Sequence, residues 1–159
     1  MSIYFDETGQ EHQKPDDINL EWRISGYALI QSDEKRFLMV QPTWNKSWEL
    51  PGGGIEKEES IKEGIVRECY EETGYKIRIH EQPIFVGERN FFSKAFNNFF
   101  KAVILVYSGD LREMTQNREA INTVEKNEIA NVSWVQSEEL NQSNVHPIVW
   151  PAISKLLKG

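Results

Sequence analysis

Three carboxylates lie within five consecutive positions of residues 67–75, Arg-Glu-Cys-Tyr-Glu-Glu-Thr-Gly-Tyr. Glu68, Glu71 and Glu72 come just before Gly74, a residue type that commonly ends helices. Negative charge near a helix C-terminus is unfavourable, because the backbone dipole already presents its negative end there. A bound divalent cation would reverse this effect, since carboxylates that repel one another would become its ligands. The cluster therefore indicates a metal site, with a solvated acidic surface as the alternative interpretation.

The ligand types in this cluster favour particular metals. Carboxylate oxygens without a neighbouring histidine or thiolate favour the hard cations Mg²⁺ and Mn²⁺ over Zn²⁺. Mg²⁺ typically binds one or two carboxylates together with water and substrate phosphates. We therefore expect Mg²⁺, with Mn²⁺ as the alternative, and a small phosphorylated ligand.

A helix predicted over residues 61–73 positions these carboxylates. Ser60 and Glu63 fit a capping box at its start, and Gly74 suits the left-handed conformation that follows a last helical turn. At about 100° per residue, one arc of the helix is suited to packing on a sheet. This arc contains Ile65, Val66, Cys69, Tyr70 and Thr73. The three carboxylates share a second arc at the border of the first.

Arg67 is the cation best placed to offset this charge. It lies four residues after Glu63 and four before Glu71, a spacing that allows ion pairs with both. With Arg67 so engaged, we expect Glu68 and Glu72 to form a neighbouring pair without a compensating cation.

Residues 53–75 resemble the Nudix box, G-x5-E-x7-R-E-U-x-E-E-x-G-U, where U is a bulky apolar residue. All of the glycines, the arginine and the glutamates of the pattern are present. They are Gly53, Glu59, Arg67, Glu68, Glu71, Glu72 and Gly74. Cys69 and Tyr75 occupy the U positions, where aliphatic residues are commoner. The segments 48–52 and 132–140 also resemble the parts of the family before and after the box.

The resemblance implies an α/β/α sandwich with a mixed β-sheet. It also implies Mg²⁺-dependent hydrolysis of a diphosphate linkage in a nucleoside diphosphate derivative, such as a nucleoside triphosphate, by attack of water at phosphorus. Glu68 and Glu72 would be the principal metal ligands, and Glu71 a further ligand or a residue that holds water. Arg67 would orient a glutamate.

The remaining roles that the resemblance implies have alternatives. Glu59 would support the loop or contact a second metal ion, and a backbone carbonyl of Gly52 or Gly53 is a further candidate ligand. The general base is a glutamate within the box or a residue of a late loop, where Glu125 and Glu128 are the candidates. Ordinary surface charge is the alternative interpretation of both late residues.

Two segments are candidates for substrate binding, because each combines aromatic and polar or cationic groups. One contains Trp44 and Lys46, and the other contains Arg89 and Phe91. Packing in the core or under the loop is the alternative for these aromatic residues. The second segment lacks the proline and the tyrosine that mark the family branches acting on ADP-ribose and dinucleoside polyphosphates.

Two other functions are alternatives on the same scaffold. A nucleotide-sensing domain would retain the fold without catalysis, but such domains usually lose glutamates of the box, and this chain has all of them. An isomerase of isoprenoid diphosphates would rely on a catalytic cysteine and a metal-binding histidine, whereas Cys69 lies inside the predicted helix.

Composition limits the class of protein. The chain has 159 residues, 39% hydrophobic and 27% charged, as in globular proteins, and we expect a single domain over 1–159. A net charge of −7 argues against a nucleic-acid polymer as ligand, because such a ligand requires a basic face. Without a signal peptide pattern or an apolar run of about 18 residues, we expect a cytoplasmic protein without membrane association. A homodimer is left open.

The other elements follow from apolar patterning. Strands are predicted at Tyr27–Gln31 and Phe37–Gln41 and in the segments around 75–92 and 99–111. Residues 131–140 are predicted to form a last strand that runs into the start of a helix, and a terminal helix is predicted over Pro147–Lys158. The first twenty residues form either a hairpin around Thr8 and Gly9 or a loose arm. The single cysteine, Cys69, excludes an intramolecular disulfide and is predicted to be a core residue.

Overall fold

The computed structural model describes residues 2–121 and 128–159. Within these ranges the chain forms eight strands and two α-helices. In chain order they are β1 (Ile3–Phe5), β2 (Glu11–Gln13), β3 (Glu21–Ile30), β4 (Arg36–Pro42), β5 (Gly52–Gly54), α1 (Ile61–Thr73), β6 (Ile77–Ser93), β7 (Asn98–Leu111), β8 (Ile129–Gln136) and α2 (Trp150–Lys158).

The strands form two sheets. Six of them pair in the order β2-β1-β6-β7-β3-β5, with parallel pairing of β1 to β6 and of β3 to β7 and antiparallel pairing elsewhere. The antiparallel pair of β4 and β8 forms the second sheet. The predicted strands at 27–31 and 37–41 therefore both exist, but β3 and β4 belong to different sheets and meet at a single bridge between Gln31 and Phe37.

Two apolar clusters lie on opposite faces of the strands, each covered by one helix. Ile65 and Cys69 of α1 pack with Ala28 and Ile30 of β3 on one face. On the other face, the residues packed together come from α2 and from several strands. They include Ala152, Ile153, Leu29, Phe37, Met39, Ile104, Val106 and Val135. This arrangement confirms the predicted α/β/α sandwich with a mixed sheet.

Helix α1 has the predicted bounds and both predicted ends. The Ser60 side chain accepts a hydrogen bond from the Glu63 backbone, and the Glu63 carboxylate accepts one from the Ser60 backbone. Gly74 ends the helix with φ 75° and ψ 7°, a left-handed conformation that costs glycine little. Local sequence therefore determines where α1 begins and ends.

The C-terminal part differs from the prediction. Strand β8 is followed by a 3-10 turn at Ser137–Glu139 instead of a helix, and α2 begins at Trp150 instead of at Pro147. Pro147 lies in a turn in which the backbone amides of Val149 and Trp150 donate to the His146 carbonyl. Pro151, not Pro147, occupies the first turn of α2, where its missing N–H costs nothing.

The N-terminal segment adopts the hairpin alternative. Strands β1 and β2 pair around a turn with Gly9 at φ 86°, and Phe5 of β1 pairs with Phe91 of β6. Tyr4 is buried with Phe92 and Phe99 in a small third cluster. Among the residues that the structure describes, no helix is long and apolar enough to cross a membrane.

Candidate active site

The glycine segment β5 lies very close to β3. Gly52, Gly53 and Gly54 pair with Tyr27, Gly26 and Ser25. A Cβ atom on Gly52 would lie 2.1 Å from the Gly26 carbonyl oxygen, and Gly52 has a φ of 151°. Only glycine permits this approach and this backbone conformation. The backbone of β5 is therefore held against the sheet edge, where it meets the carboxylates of α1.

Two glutamates of α1 contact this glycine segment. Glu72 is 5% exposed, and its Oε1 accepts a hydrogen bond of 3.2 Å from the Gly52 amide. The Glu68 carboxyl group lies 3.2 Å from the point where a Cβ atom on Gly53 would be. The fold thus brings both carboxylates to the glycine backbone, and it buries Glu72 more deeply than its place on the border of the apolar arc predicts.

Arg67 connects the carboxylates of the loop and the helix. It donates two hydrogen bonds to Glu59, at 2.9 Å from Nε and 2.7 Å from Nη2. Its Nη1 donates to Glu68 at 3.0 Å and to Glu71 at 3.2 Å. The guanidinium group is thus shared among three glutamates, and we call Glu59, Arg67, Glu68 and Glu71 the acidic network.

This pairing corrects two expectations. Arg67 pairs with Glu71 as predicted, but the Glu63 carboxylate belongs to the helix cap, and Glu59 takes its place. Glu68 was expected to lack a compensating cation, and it has one in Arg67. The cause is the loop before α1, which folds back so that Glu59, eight residues before Arg67, lies beside it.

The electrostatics of the acidic network follow from these contacts. Hydrogen bonds from Arg67 lower the pKa of Glu59 to about 2. The same contacts raise the pKa of Arg67, so this guanidinium stays charged. Burial raises the pKa of Glu68 above its usual value, while the hydrogen bond and charge of Arg67 act in the opposite direction. Within the network, burial therefore outweighs the effect of Arg67 at Glu68 but not at Glu59.

The donor atoms here suit a hard divalent cation. The candidates Glu68, Glu71 and Glu72 and the Gly53 carbonyl present only oxygen, the donor that Mg²⁺ and Mn²⁺ prefer. Within residues 2–121 and 128–159, no three acidic, histidine or cysteine side chains already surround one point as metal ligands. Arg67 is hydrogen-bonded to Glu68 and Glu71 instead, so binding a cation requires these side chains to rearrange.

A cavity of about 420 Å³ opens on the α2 face of the larger sheet. Its walls are mainly apolar, and Arg89 and His146 are among the polar side chains that reach it. The lining comprises Phe5, Gly9, Phe85, Gly87, Glu88, Arg89, Ile104, His146, Pro147, Ile148 and Pro151. Its size and character are those of a small-molecule site, since such sites measure about 300–1,000 Å³ and are mostly apolar with few polar groups.

Strand register relates this cavity to the glycine segment. Gly87 pairs with Ile104, Ile104 with Ser25, and Ser25 with Gly54, so these residues form one row across four strands. At about 4.8 Å per strand, the row spans roughly 14 Å. These residues face α2, whereas Glu68 reaches β5 from the α1 side at Gly53, so an extended ligand in the cavity would meet the glutamates only past the β5 edge.

Two ionisable groups that line the cavity, Arg89 and His146, interact with Glu49 beside it. Burial raises the pKa of Glu49 to about 7, against the opposing charge of Arg89. Burial and the charge of Arg89 lower the pKa of His146 to about 4. Nε2 of His146 lies 3.7 Å from Glu49. Burial also lowers the pKa of Arg89, and its side chain makes no hydrogen bond or ion pair with another residue that the structure describes.

The two candidate substrate segments occupy different places. Arg89 lines the cavity, and Phe91 lies two residues further along the same face of β6, half-buried. Trp44 and Lys46 lie on an exposed loop after β4, and neither is among the described residues lining that cavity. The structure thus brings Arg89, but not Trp44 or Lys46, to the cavity.

The candidate bases also differ in position. The Glu128 side chain is exposed, and its carbonyl accepts a hydrogen bond from Thr43. The residue after it, Ile129, lines a second cavity of about 280 Å³ that Glu72 also lines. Glu125 lies outside the described residues. Cys69 is fully buried, with a pKa raised to about 12 by burial, which agrees with the predicted core residue.

Sequence reasoning missed several groups around the cavity. Arg23 lies beside the glycine segment, because a Cβ atom on Gly54 would be 2.5 Å from its Nη2. Glu49, Tyr27 and His146 were also not identified as site residues. Glu49 stands within the segment 48–52 that resembles the approach to the box, which was a usable signal. Arg23, Tyr27 and His146 have no local pattern: strand pairing places Arg23 and Tyr27, and a hydrogen bond to the Trp48 carbonyl places His146.

A family model described as NUDIX domain matches residues 22–156. A Bacillus subtilis (strain 168) protein described as "Putative 8-oxo-dGTP diphosphatase" is 33% identical over 72 residues, which are 42% of this chain and 48% of that protein. The chain spans about a third to a half of the length of the curated relatives that it matches.

Solved structures resemble the chain over most of its length. A MutT protein from Methanosarcina mazei Go1 has a TM-score of 0.63 and 25% identity, covering 89% of this chain and 97% of that one. A NUDIX hydrolase from Nitrosomonas europaea has a TM-score of 0.64 and 20% identity, and the match covers 87% of this chain and 90% of that one. The hairpin of β1 and β2 lies before the residues that the family model matches.

Proposed function

Because the chain belongs to the Nudix family, we propose that it hydrolyses a diphosphate linkage in a nucleoside diphosphate derivative, such as a nucleoside triphosphate, with Mg²⁺ or Mn²⁺. The observation that supports this most directly is the contact of Glu68 and Glu72 with the glycine backbone of β5. Hydrolase names among the relatives support the same reaction class.

In this proposal, Glu68, Glu72, Glu71 and the Gly53 carbonyl hold the cation. When bound, the cation would supply charge neutralisation on the phosphate oxygens and a lower pKa for the attacking water. Arg67 would hold the acidic network in place, because two hydrogen bonds from its guanidinium group join Glu59 to the helix. Glu59 would support the loop.

The chain's own residues also orient the rest of the substrate. With the diphosphate beside β5, the nucleoside would extend past the β5 edge into the cavity at Arg89. The guanidinium group of Arg23, beside Gly54, would lie near the phosphates. A glutamate of the box or Glu128 would take the proton from water.

The test is release of phosphate or pyrophosphate from a panel of nucleotides, with and without Mg²⁺. We expect Glu68→Gln and Glu72→Gln each to reduce kcat on the order of 10²-fold or more while folding remains normal. Glu63→Gln is the matched control: it makes the same charge change on the same helix, and glutamine also suits the capping box.

Two outcomes contradict the proposal. Full activity in both Glu68→Gln and Glu72→Gln would remove these carboxylates from catalysis. Binding of nucleotides without any turnover in Mg²⁺ or Mn²⁺ would indicate the nucleotide-sensing alternative instead of a hydrolase.

A further inference from the structure

The N-terminal hairpin, residues 3–13, forms a wall of the substrate cavity. Phe5 and Gly9 line it together with residues of β6, of β7 and of the turn before α2. Phe5 is the last residue of β1 and pairs with Phe91, so its side chain lies on the same sheet face as Arg89. The residues matched by the family model begin only at position 22, after this wall.

The hairpin is held firmly at this position. Asp6 is fully buried, and its carboxylate accepts hydrogen bonds from Thr8, from the Gln10 amide and from His12 at 2.8 Å. Lys94, in the turn after β6, lies 2.9 Å from the same carboxylate and joins the hairpin to the main sheet.

Further contacts strengthen the attachment. The Lys94 amide donates to Glu7, and Asn90 donates to the Ile3 carbonyl. Tyr4 packs edge-on against Phe99, with ring centroids 5.2 Å apart. Because Tyr4 and Phe5 point to opposite faces of β1, burial of Tyr4 on one side fixes Phe5 on the cavity side. The hairpin therefore has the rigidity that a binding wall requires.

We propose that this hairpin is a specificity element, in which Phe5 packs against the ring of the substrate's nucleobase while Arg89 provides the polar contact. This inference rests on the proposed function. An aromatic side chain and a guanidinium group that is unpaired among the described residues are complementary to a flat heterocycle with carbonyl or ring-nitrogen acceptors.

The test compares Phe5→Ala with Ile3→Ala. Ile3 is in the same strand and on the same face, but it is 47% exposed and is not among the residues lining the cavity. Kinetics are measured on purine and pyrimidine nucleoside triphosphates, starting from the substrate that the wild type hydrolyses best. Phe5→Ala is expected to raise KM about tenfold or more for the best substrate, with kcat within about threefold.

Selectivity provides a readout that a purely structural role would not change. We expect Phe5→Ala to narrow the ratio of kcat/KM between purine and pyrimidine substrates, and Phe5→Tyr, which keeps the ring, to retain it. Ile3→Ala should leave both KM and this ratio within about twofold of wild type. If Phe5→Ala does not fold, Phe5→Leu keeps an apolar side chain in β1 and removes only the ring.

The two proposals fail in different ways. If the wild type hydrolyses nucleotides and Phe5→Ala matches Ile3→Ala in KM and selectivity, the hairpin is not a specificity element and the hydrolase assignment stands. A loss confined to kcat would also contradict the inference, because it would place Phe5 in the chemical step. If the wild type hydrolyses no nucleoside diphosphate derivative, both proposals fall.

Discussion

Replacing Arg67 tests whether one guanidinium group organises the acidic network. Its side chain is 27% exposed, and it donates four hydrogen bonds to the carboxylates of Glu59, Glu68 and Glu71. Arg67→Ala removes all four and leaves three glutamates in proximity without their cation. Arg67→Lys keeps the charge but loses the fork that binds both oxygens of Glu59.

The magnitude follows from the exposure of the partners. Glu59 and Glu68 are 14% and 16% exposed at their side chains, so water compensates only partly for the lost partner. Removing one member of a fully buried ion pair costs about 3–5 kcal/mol, and the partial exposure of these side chains places the expected cost in the lower part of that range. We therefore expect Arg67→Ala to lower the free energy of unfolding by about 3–4 kcal/mol, and Arg67→Lys by about 1–2 kcal/mol.

Urea unfolding and thermal unfolding measure this difference. For a chain of this size, each kcal/mol lowers Tm by about 2–4 °C, so Arg67→Ala should melt roughly 6–16 °C below wild type. Lys62→Ala is the matched control, because Lys62 is on the same helix and pairs only with the exposed Glu81, which should contribute less than about 1 kcal/mol. Equal stability of Arg67→Ala and Lys62→Ala would refute the reasoning.

Three further substitutions test other parts of the structure. Burial alone would raise the pKa of Asp6, but hydrogen bonds from Thr8, His12, Lys94 and the Gln10 backbone lower it well below its usual value. Asp6→Asn should therefore lower the free energy of unfolding by about 2–3 kcal/mol at pH 7. Urea unfolding should show that this difference from wild type shrinks as pH falls below about 4, because the carboxylate of the unfolded chain is then protonated. Burial raises the pKa of Glu49 to about 7, so the folded chain holds this proton more tightly than the unfolded chain and loses stability as pH rises from about 4.5 to 7. The ionisable side chains facing Glu49 are Tyr27, Arg89 and His146. Glu49→Gln should therefore stabilise the protein by about 1–3 kcal/mol at pH 8 and by much less at pH 5. Equal effects on the free energy of unfolding at both pH values would contradict the raised pKa of Glu49. Glu72→Gln keeps an acceptor for the Gly52 amide, so it should abolish activity while the free energy of unfolding stays within about 1 kcal/mol of wild type, and a larger loss of stability would contradict this view.

Local sequence predicted the elements that local interactions determine. The bounds of α1 followed from Ser60, Glu63 and Gly74, because a capping box and a left-handed glycine act within one helical turn. The start of α2 was misplaced, because the sequence offers Pro147 and Pro151 as alternatives for the first turn. The contacts of His146 with the preceding chain decide between them, and these contacts are tertiary.

The site could be predicted only in part for the same reason. Spacing along a helix suggested Glu63 as a partner of Arg67, but a loop that folds back brings Glu59 closer. The cavity was not foreseen, because Phe5, Arg89 and His146 are far apart in the sequence and meet only through sheet pairing and the turn before α2. Trp44 had the right chemistry for stacking, yet its loop lies elsewhere on the surface.

The structure also changes the reason for expecting a cation beside α1. Crowded carboxylates suggested one at first, yet Arg67 already offsets the charge of Glu68 and Glu71. The stronger argument is the position of Glu72, which is buried against the backbone of Gly52. Burying a carboxylate costs free energy that an apolar or neutral side chain would save, and the glycines of β5 add a further entropic cost. Neither feature is favoured by stability alone, so their joint presence at one sheet edge supports the proposed cation site.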